Sequence, residues 1–413
     1  MKSRIGLAAA VAVLLAITGA SGISRATPPA SAEAAGSGVT WTRGPRLGNE
    51  NTFISGDALA RTSTSTGDVL HGVVGKFPAV RYRRMETDSW VGTTISPGSH
   101  FTAGAVIEAA RSRVYVAWRR LTDFDNREPS PLYLRSIGNH GAGTWGPVRP
   151  VTPLDMRADG PSLAAAGRRI YVAYTNKDTG AVKVAMSRDR GATWSTMRLG
   201  TTTRRVYRGV SGEPVVVAHG SVVAVVWLKD AEGTLRFRRS TDGGATWSNA
   251  RTLGTGSNQE SQPGLAIRGD RIAVAWTDAD VVRVRVRGAS GWEAVRTVVP
   301  PPTPTVYPAV LDVDVDLHGT ADVGVAFSAC WGDCSGDWPG YADVLWAEST
   351  DNGATWTTAS VVLAGGEHPS GEGPIVVIRA DVLWAPDGTR YVAANEVFDF
   401  DLGFVPFRVG VGG

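Results

Sequence analysis

Cysteine is nearly missing from this chain. The two that occur, Cys330 and Cys334 in Cys-Trp-Gly-Asp-Cys, cannot by themselves make a structural zinc site, which takes four ligands, and no further Cys or His lies near them. In an exported protein the spacing reads as a local disulfide. Closing so short a loop stabilises by roughly 2 kcal/mol in the chain-entropy model, enough to pin one loop and too little to hold a large fold. Also missing are a His-Glu-x-x-His helix, a Gly-x-Ser-x-Gly elbow and a phosphate loop; Gly72-Val-Val-Gly75-Lys76-Phe77 has neither the spacing nor the hydroxyl of the last. Neither a cofactor nor a metal is implied. The Asp312-Val-Asp314-Val-Asp316 run superficially suggests calcium, but its alternation with Val before His318-Gly319 reads instead as a strand entering a hairpin.

Charge of one sign is lacking too. No Lys/Arg run could track a nucleic acid, and Arg283-Val-Arg285-Val-Arg287 alternates as the solvated face of a strand does. The formal net charge is +3, but residues 1–32 carry Lys2, Arg4 and Arg25 and no acid, so the rest of the chain is neutral. Long apolar runs are absent except Ile5–Ile17, which at 13 residues is too short to span a membrane comfortably. With its basic start and Ala30-Ser-Ala32 beyond, it reads as an export signal over residues 1–32; Ser24-Arg-Ala26 is a competing cleavage site. The product is expected to be secreted, extracellular and monomeric. Residues 33–413 are expected to form one domain.

What the chain has in abundance is repetition. Ser187-Arg-Asp189-Arg-Gly191-Ala-Thr193-Trp194, Ser240-Thr-Asp242-Gly-Gly244-Ala-Thr246-Trp247 and Ser349-Thr-Asp351-Asn-Gly353-Ala-Thr355-Trp356 are one phrase written three times. The Asp can accept backbone N–H groups ahead of it, the Gly can take a positive φ, and the Trp buries a large ring against the neighbouring unit. Looser copies end in Trp41, Trp90, Trp145 and Trp292, giving Trp spacings of 49, 55, 49, 53, 45 and 64 residues. A second repeat of strands agrees: Arg113-Val-Tyr-Val-Ala-Trp118, Arg169-Ile-Tyr-Val-Ala-Tyr174, Val222-Val-Ala-Val-Val-Trp227 and Arg271-Ile-Ala-Val-Ala-Trp276 among them.

Units of this length built of short strands mean a β-propeller. The expectation is an all-β ring of seven four-stranded blades, six being the alternative. The last blade, from residues 374–411, would borrow its outer strand from residues 40–50 and so lose an open edge.

In such a ring the repeated turns sit opposite the end where loops enter the innermost strands. Asp189, Asp242 and Asp351, with Trp194, Trp247 and Trp356, are therefore structural. Function is sought in the irregular loops at the other end. Arg119 to Glu128 is rich in charge of both signs, the Cys330–Asp343 loop carries Trp331 and Trp338, and Asn395 to Asp401 mixes acids with Phe. Aromatics beside carboxylates suit a sugar, whose C–H face stacks on a ring while its hydroxyls bond to the acids. Arg204, Arg205, Arg208 and Glu213 enter one inner strand and Tyr307 another; Gln262, Asp312 and Asp381 align with Glu213 at comparable entries.

The three full turns resemble the Asp-box, or bacterial neuraminidase repeat, of propellers whose best-known members are the sialidases. That resemblance covers nearly all of residues 33–413. It implies a Tyr nucleophile paired with a Glu, and arginines clamping a sugar carboxylate. Tyr307-Pro-Ala-Val-Leu311 and Gly212-Glu213-Pro-Val-Val-Val217 are similar to the segments carrying that pair, and Arg204, Arg205 or Arg208 would hold the acid. No Arg-Ile-Pro segment occurs, and no arginine follows Glu213 by a strand. Three functions follow: a secreted propeller binding an extracellular glycan or glycoprotein without turnover, an exo-glycosidase of sialidase type, and a protein-binding scaffold.

Overall fold

The computed structural model describes residues 39–43, 47, 57–76, 78–87, 89–97, 101–121, 128–202, 213–230, 232–256, 261–278, 280–298, 309–331, 341–367, 374–397 and 405–412. After β1 (Trp41–Arg43), the strands come in meanders that run outward from a central axis. The first is β2 (Leu59–Thr64), β3 (Gly67–Lys76), β4 (Ala79–Glu86) and β5 (Ser89–Thr94). The second is β6 (Phe101–Ala110), β7 (Arg113–Leu121), β8 (Leu132–Ile137) and β9 (Arg149–Pro150), and the third β10 (Ala158–Ala166), β11 (Arg169–Asn176), β12 (Ala181–Ser187) and β13 (Ser195–Thr201). Next come β14 (Val215–His219), β15 (Val222–Leu228), β16 (Leu235–Ser240) and β17 (Arg251–Gly254). A five-stranded sheet follows, of β18 (Gly264–Arg268), β19 (Arg271–Asp278), β20 (Val281–Gly288), β21 (Gly291–Trp292) and β22 (Arg296–Val298). The remaining strands, β23 (Ala309–His318), β24 (Asp322–Trp331), β25 (Tyr341–Ser349), β26 (Ser360–Leu363), β27 (Gly366–Glu367), β28 (Pro374–Trp384), β29 (Arg390–Val397) and β30 (Val405–Gly412), join β1 in one sheet of nine.

The fold is thus all-β, a propeller of four-stranded blades, and among the described residues its sheets number six. The expectation of seven separate blades is corrected at the nine-stranded sheet. There a parallel bridge between Ala342 and Val376 joins the β23–β26 meander to β28, β29 and β30, which side-chain periodicity does not reveal. The N-terminal segment does close the sheet: β1 runs antiparallel to β30, with Trp41 opposite Gly412.

Apolar residues run nearly without interruption along the second strands, so that both faces are buried between neighbours. On β11, Ile170, Val172 and Tyr174 pack toward β6–β9, while Tyr171 and Ala173 pack toward β14–β17. The aromatic closing each second strand needs room on the preceding outer strand. Trp276 lies against Gly254, where an added Cβ would come within 2.4 Å of its ring.

The inner strands are stitched edge to edge by side chains. Ser162 Oγ on β10 accepts the Val216 N–H of β14 at 3.1 Å. The Asp-Val-Asp-Val-Asp run is strand β23, and its three acids reach β28: Asp312, Asp314 and Asp316 accept the N–H groups of Ala380, Val382 and Trp384 at 2.9, 2.9 and 2.7 Å. Asp381 of β28 continues the series, accepting Ala58 and Leu59 N–H of the β2 segment at 2.8 and 2.7 Å.

Candidate functional site at the loop end of the ring

The two ends of the ring are built differently. At one end lie the three repeated turns. In each, the Ser hydroxyl donates to the Asp and the Asp accepts the N–H and hydroxyl of the Thr four residues on. For Asp242 these are 2.8 Å from Ser240 Oγ, 2.9 Å to Thr246 N and 2.5 Å to Thr246 Oγ1. Such bonds favour the charged form. They hold Asp242 and Asp351 down at about 2 and Asp189 lower still. Trp247 and Trp356 bond through Nε1 to Gly244 and Gly353 carbonyls at 3.1 and 3.0 Å. Every polar atom of these aspartates serves its own turn.

At the other end, where second strands finish and inner strands begin, charge is buried. Arg119 on β7 donates to Asp159 at the start of β10, and Lys177 Nζ lies 3.1 Å from the same carboxylate. All three side chains are about nine-tenths buried or more. Burial pushes the Lys177 ammonium below the ordinary lysine range, and Asp159 opposes this. A bulge between Asp159 and Ser162 shapes the site. Its Gly160 has φ +55° and carries the Glu213 side chain against it, a Cβ there falling 2.1 Å from Glu213 Cγ. Glu213, expected at this mouth from sequence, thus sits beside the Arg119–Asp159–Lys177 cluster.

Across the mouth, Trp331 and Tyr341 face each other at the ends of β24 and β25, with ring centroids 4.2 Å apart and planes inclined by 10°. Both are half-buried, and the Trp331 indole N–H is enclosed without a hydrogen-bond partner among the described residues. Cys330, wholly buried, precedes Trp331. Asp343 accepts Gly365 N–H at 2.7 Å.

Further down the ring the acids crowd. Asp57 and Asp316 are raised to about 6 and Glu108 to about 8, in each case chiefly by burial; neighbouring carboxylates add to the effect on Glu108. Asp314 and Asp381 are pushed well up, first by burial and then by neighbouring carboxylates, Asp57 among them in both cases, even though backbone N–H groups favour their charged forms. Asp312 and Asp381, expected as substrate-binding residues, spend these carboxylate oxygens on the backbone, and Asp312 also accepts Ser328 Oγ at 2.9 Å.

Of the other expected site residues, Arg204, Arg205, Arg208, Tyr307, Trp338 and Cys334 lie outside the described residues. Asp159, Lys177, Asp57 and Glu108 were not singled out by sequence reasoning. The one signal was position: Lys177 follows second strand β11 directly, at the same end of the ring as Arg119 near the end of β7. Among the described residues no cluster of His, Cys, Asp or Glu could hold a metal, and no helix is long and apolar enough to cross a membrane.

No family model and no curated protein matches the chain. Solved structures do. Trypanosoma rangeli sialidase in complex with sialic acid is 12% identical with a TM-score of 0.47, covering 90% of this chain and 58% of that one. The fucose-recognising, six-bladed propeller lectin of Aleuria aurantia is 12% identical with a TM-score of 0.42, covering 86% and 96%. The intramolecular trans-sialidase of Ruminococcus gnavus is 9% identical with a TM-score of 0.42, covering 68% and 93%. The chain thus spans less than two thirds of the trypanosome enzyme.

Proposed function

We propose that this chain is a secreted, sialidase-like Asp-box propeller that binds a glycan at the loop end of the ring. The observation that carries the reading is the Trp331–Tyr341 pair, half-buried at the base of the 332–340 loop. A flat aromatic surface flanked by a few fixed polar groups is what a sugar's C–H face and hydroxyls require. Trp338 and the Cys330–Cys334 pairing, on the same loop, belong to this proposal. So does export after removal of residues 1–32.

A second reading is favoured by Glu213. It lies beside Gly160 and next to the carboxylate that holds Arg119 and Lys177. An exo-glycosidase acting on an acidic sugar would use Glu213 to activate Tyr307, with Arg204, Arg205 or Arg208 on the acid group.

One experiment separates them. The secreted protein is incubated with sialylated glycans and a panel of microbial and plant polysaccharides, binding is read by titration and released sugars by mass spectrometry. Trp331→Ala should abolish binding while leaving the fold intact. Sugar release lost in Glu213→Gln and Tyr307→Phe establishes the hydrolase. Retention of full binding by Trp331→Ala removes the glycan reading.

A further inference from the structure

Two clefts open at corresponding places at the turn end of the propeller, each between a repeated turn and the blade before it. One, a shallow cleft of about 10 Å³, is lined by Val284, Val286, Glu293, Arg296 and the Asn352–Ala354 turn. The other, of about 200 Å³, is lined by Arg113, Arg135, Arg149, Arg190, Pro147 and Asp189 among others. The scaffold is common to both, so the arginines are not a requirement of the fold.

The shared arginine shows what structural use looks like. Arg135 donates from Nε to Gly146 O and from Nη1 to Ile95 O, at 2.7 and 2.8 Å, with its guanidinium 5.7 Å from the centre of the Trp145 ring. Arg285 repeats this on Glu293 O and Leu253 O, with Trp292 beneath. The other three arginines of the larger groove differ. Arg271 spends its donors on His318, Gly319 and Asp322 carbonyls, whereas its counterpart Arg113 bonds, among the described residues, only to Ser136 Oγ. Neither Arg113, Arg149 nor Arg190 is ion-paired to a described carboxylate. Asp189, the acid in the lining, is turned to Ser187, Ala192 and Thr193.

Two further features set this groove apart from its sister. Arg190 holds φ +63° at the turn position where the sister turns have Gly243 and Asn352, residues that tolerate it. The arginine is thus held there at a cost in stability that glycine or asparagine avoids. Tyr115, wholly buried and within the field of Arg113 and Arg190, has a hydroxyl without a partner among the described residues; its counterpart Tyr171 bonds to Gly243 O at 3.2 Å.

We propose that the arginine-lined groove between β6–β9 and the Ser187–Trp194 turn is an anion site that takes the acid groups of an acidic polysaccharide. Guanidinium forks match sulfate and carboxylate oxygens. The lining has no aromatic ring on which a nucleic-acid base would stack. The site lies at the opposite end from Trp331 and does not depend on the function proposed there.

The test titrates the full secreted chain with sulfated dextran, polygalacturonate, uncharged dextran, an acidic peptide and inorganic sulfate. The two charged polysaccharides separate a sulfate from a carboxylate ligand; uncharged dextran should not bind. The double variant Arg149→Glu, Arg190→Glu should weaken polysaccharide binding by about tenfold or more, whereas Arg296→Glu in the sister groove should leave it unchanged. Arg190→Gly should melt no lower than the parent yet bind more weakly, a split that a structural arginine would not give. Equal binding by parent and double variant overturns the proposal, as does equal loss in Arg296→Glu, or binding of the acidic peptide alone.

Discussion

Between β10 and β14 one hydroxyl, Ser162, joins two inner strands; between β23 and β28 three carboxylates make the same kind of bond, and Asp381 carries it on to β2. The geometry is alike, acceptor to backbone N–H, but the acceptors differ in charge. A buried hydroxyl is indifferent to pH. A buried carboxylate is not, and five acids around the closing sector have raised pKa values. The side of the ring that joins its ends is therefore sensitive to protons where the middle is neutral.

The comparison can be broken most forcefully through pH. A carboxyl whose pKa is raised by folding contributes stability fully present below its unfolded value and lost as pH rises through its folded one. The window opens above about 4 and extends through about 6 for Asp57 and Asp316 and about 8 for Glu108. Arg61 and Arg268 temper Asp316. His71 works the other way: burial lowers it to about 3, so its contribution is lost as pH falls below its ordinary value. Thermal unfolding should show stability declining from pH 5 to pH 8, and Glu108→Gln should remove much of that decline, on the order of 3 kcal/mol. A flat profile, or one that Glu108→Gln leaves unaltered, breaks the contrast.

A smaller effect separates the seams themselves. Asp314→Ala orphans the Val382 N–H and should cost about 2 kcal/mol at pH 5 in urea unfolding, whereas Ser162→Ala should cost about 1. Asp314→Asn keeps an acceptor without the charge and should be as stable as the parent at pH 5 and more stable at pH 8. The smallest difference sharpens the same lesson at the turn end. Tyr171→Phe, which loses its bond to Gly243 O, should cost about 1 kcal/mol, while Tyr115→Phe, which loses none, should be neutral or slightly stabilising.

Sequence made the ring legible because its signals are local. A turn closes within eight residues, a second strand shows both faces as apolar, and Trp41 with no inner strands of its own implied the closure by β1. The merging of sheets was not legible, since a single backbone bridge at Ala342 and Val376 leaves no mark on residue pattern. The Arg283–Arg287 alternation was legible as a strand but not as more than a solvated face. Arg285 in fact crosses to Leu253 O of the preceding blade. At the loop end, Glu213 and Trp331 were found by their place in the repeat. The Asp159 partnership with Arg119 and Lys177 was not, because it depends on how neighbouring meanders pack.

The pairing of Trp41–Arg43 with Gly410–Gly412 also sets an order of events. Strand β1 has no partner until β30, far along the chain, has been made. Every intermediate meander can form from chain already made, but the ring cannot shut until β30 emerges. Until then β1 waits unpaired and Ala58 has no β28 edge to meet. Assembly of this ring is in that sense a clasp fastened last, and a chain that lost β1 or β30 would remain an open band.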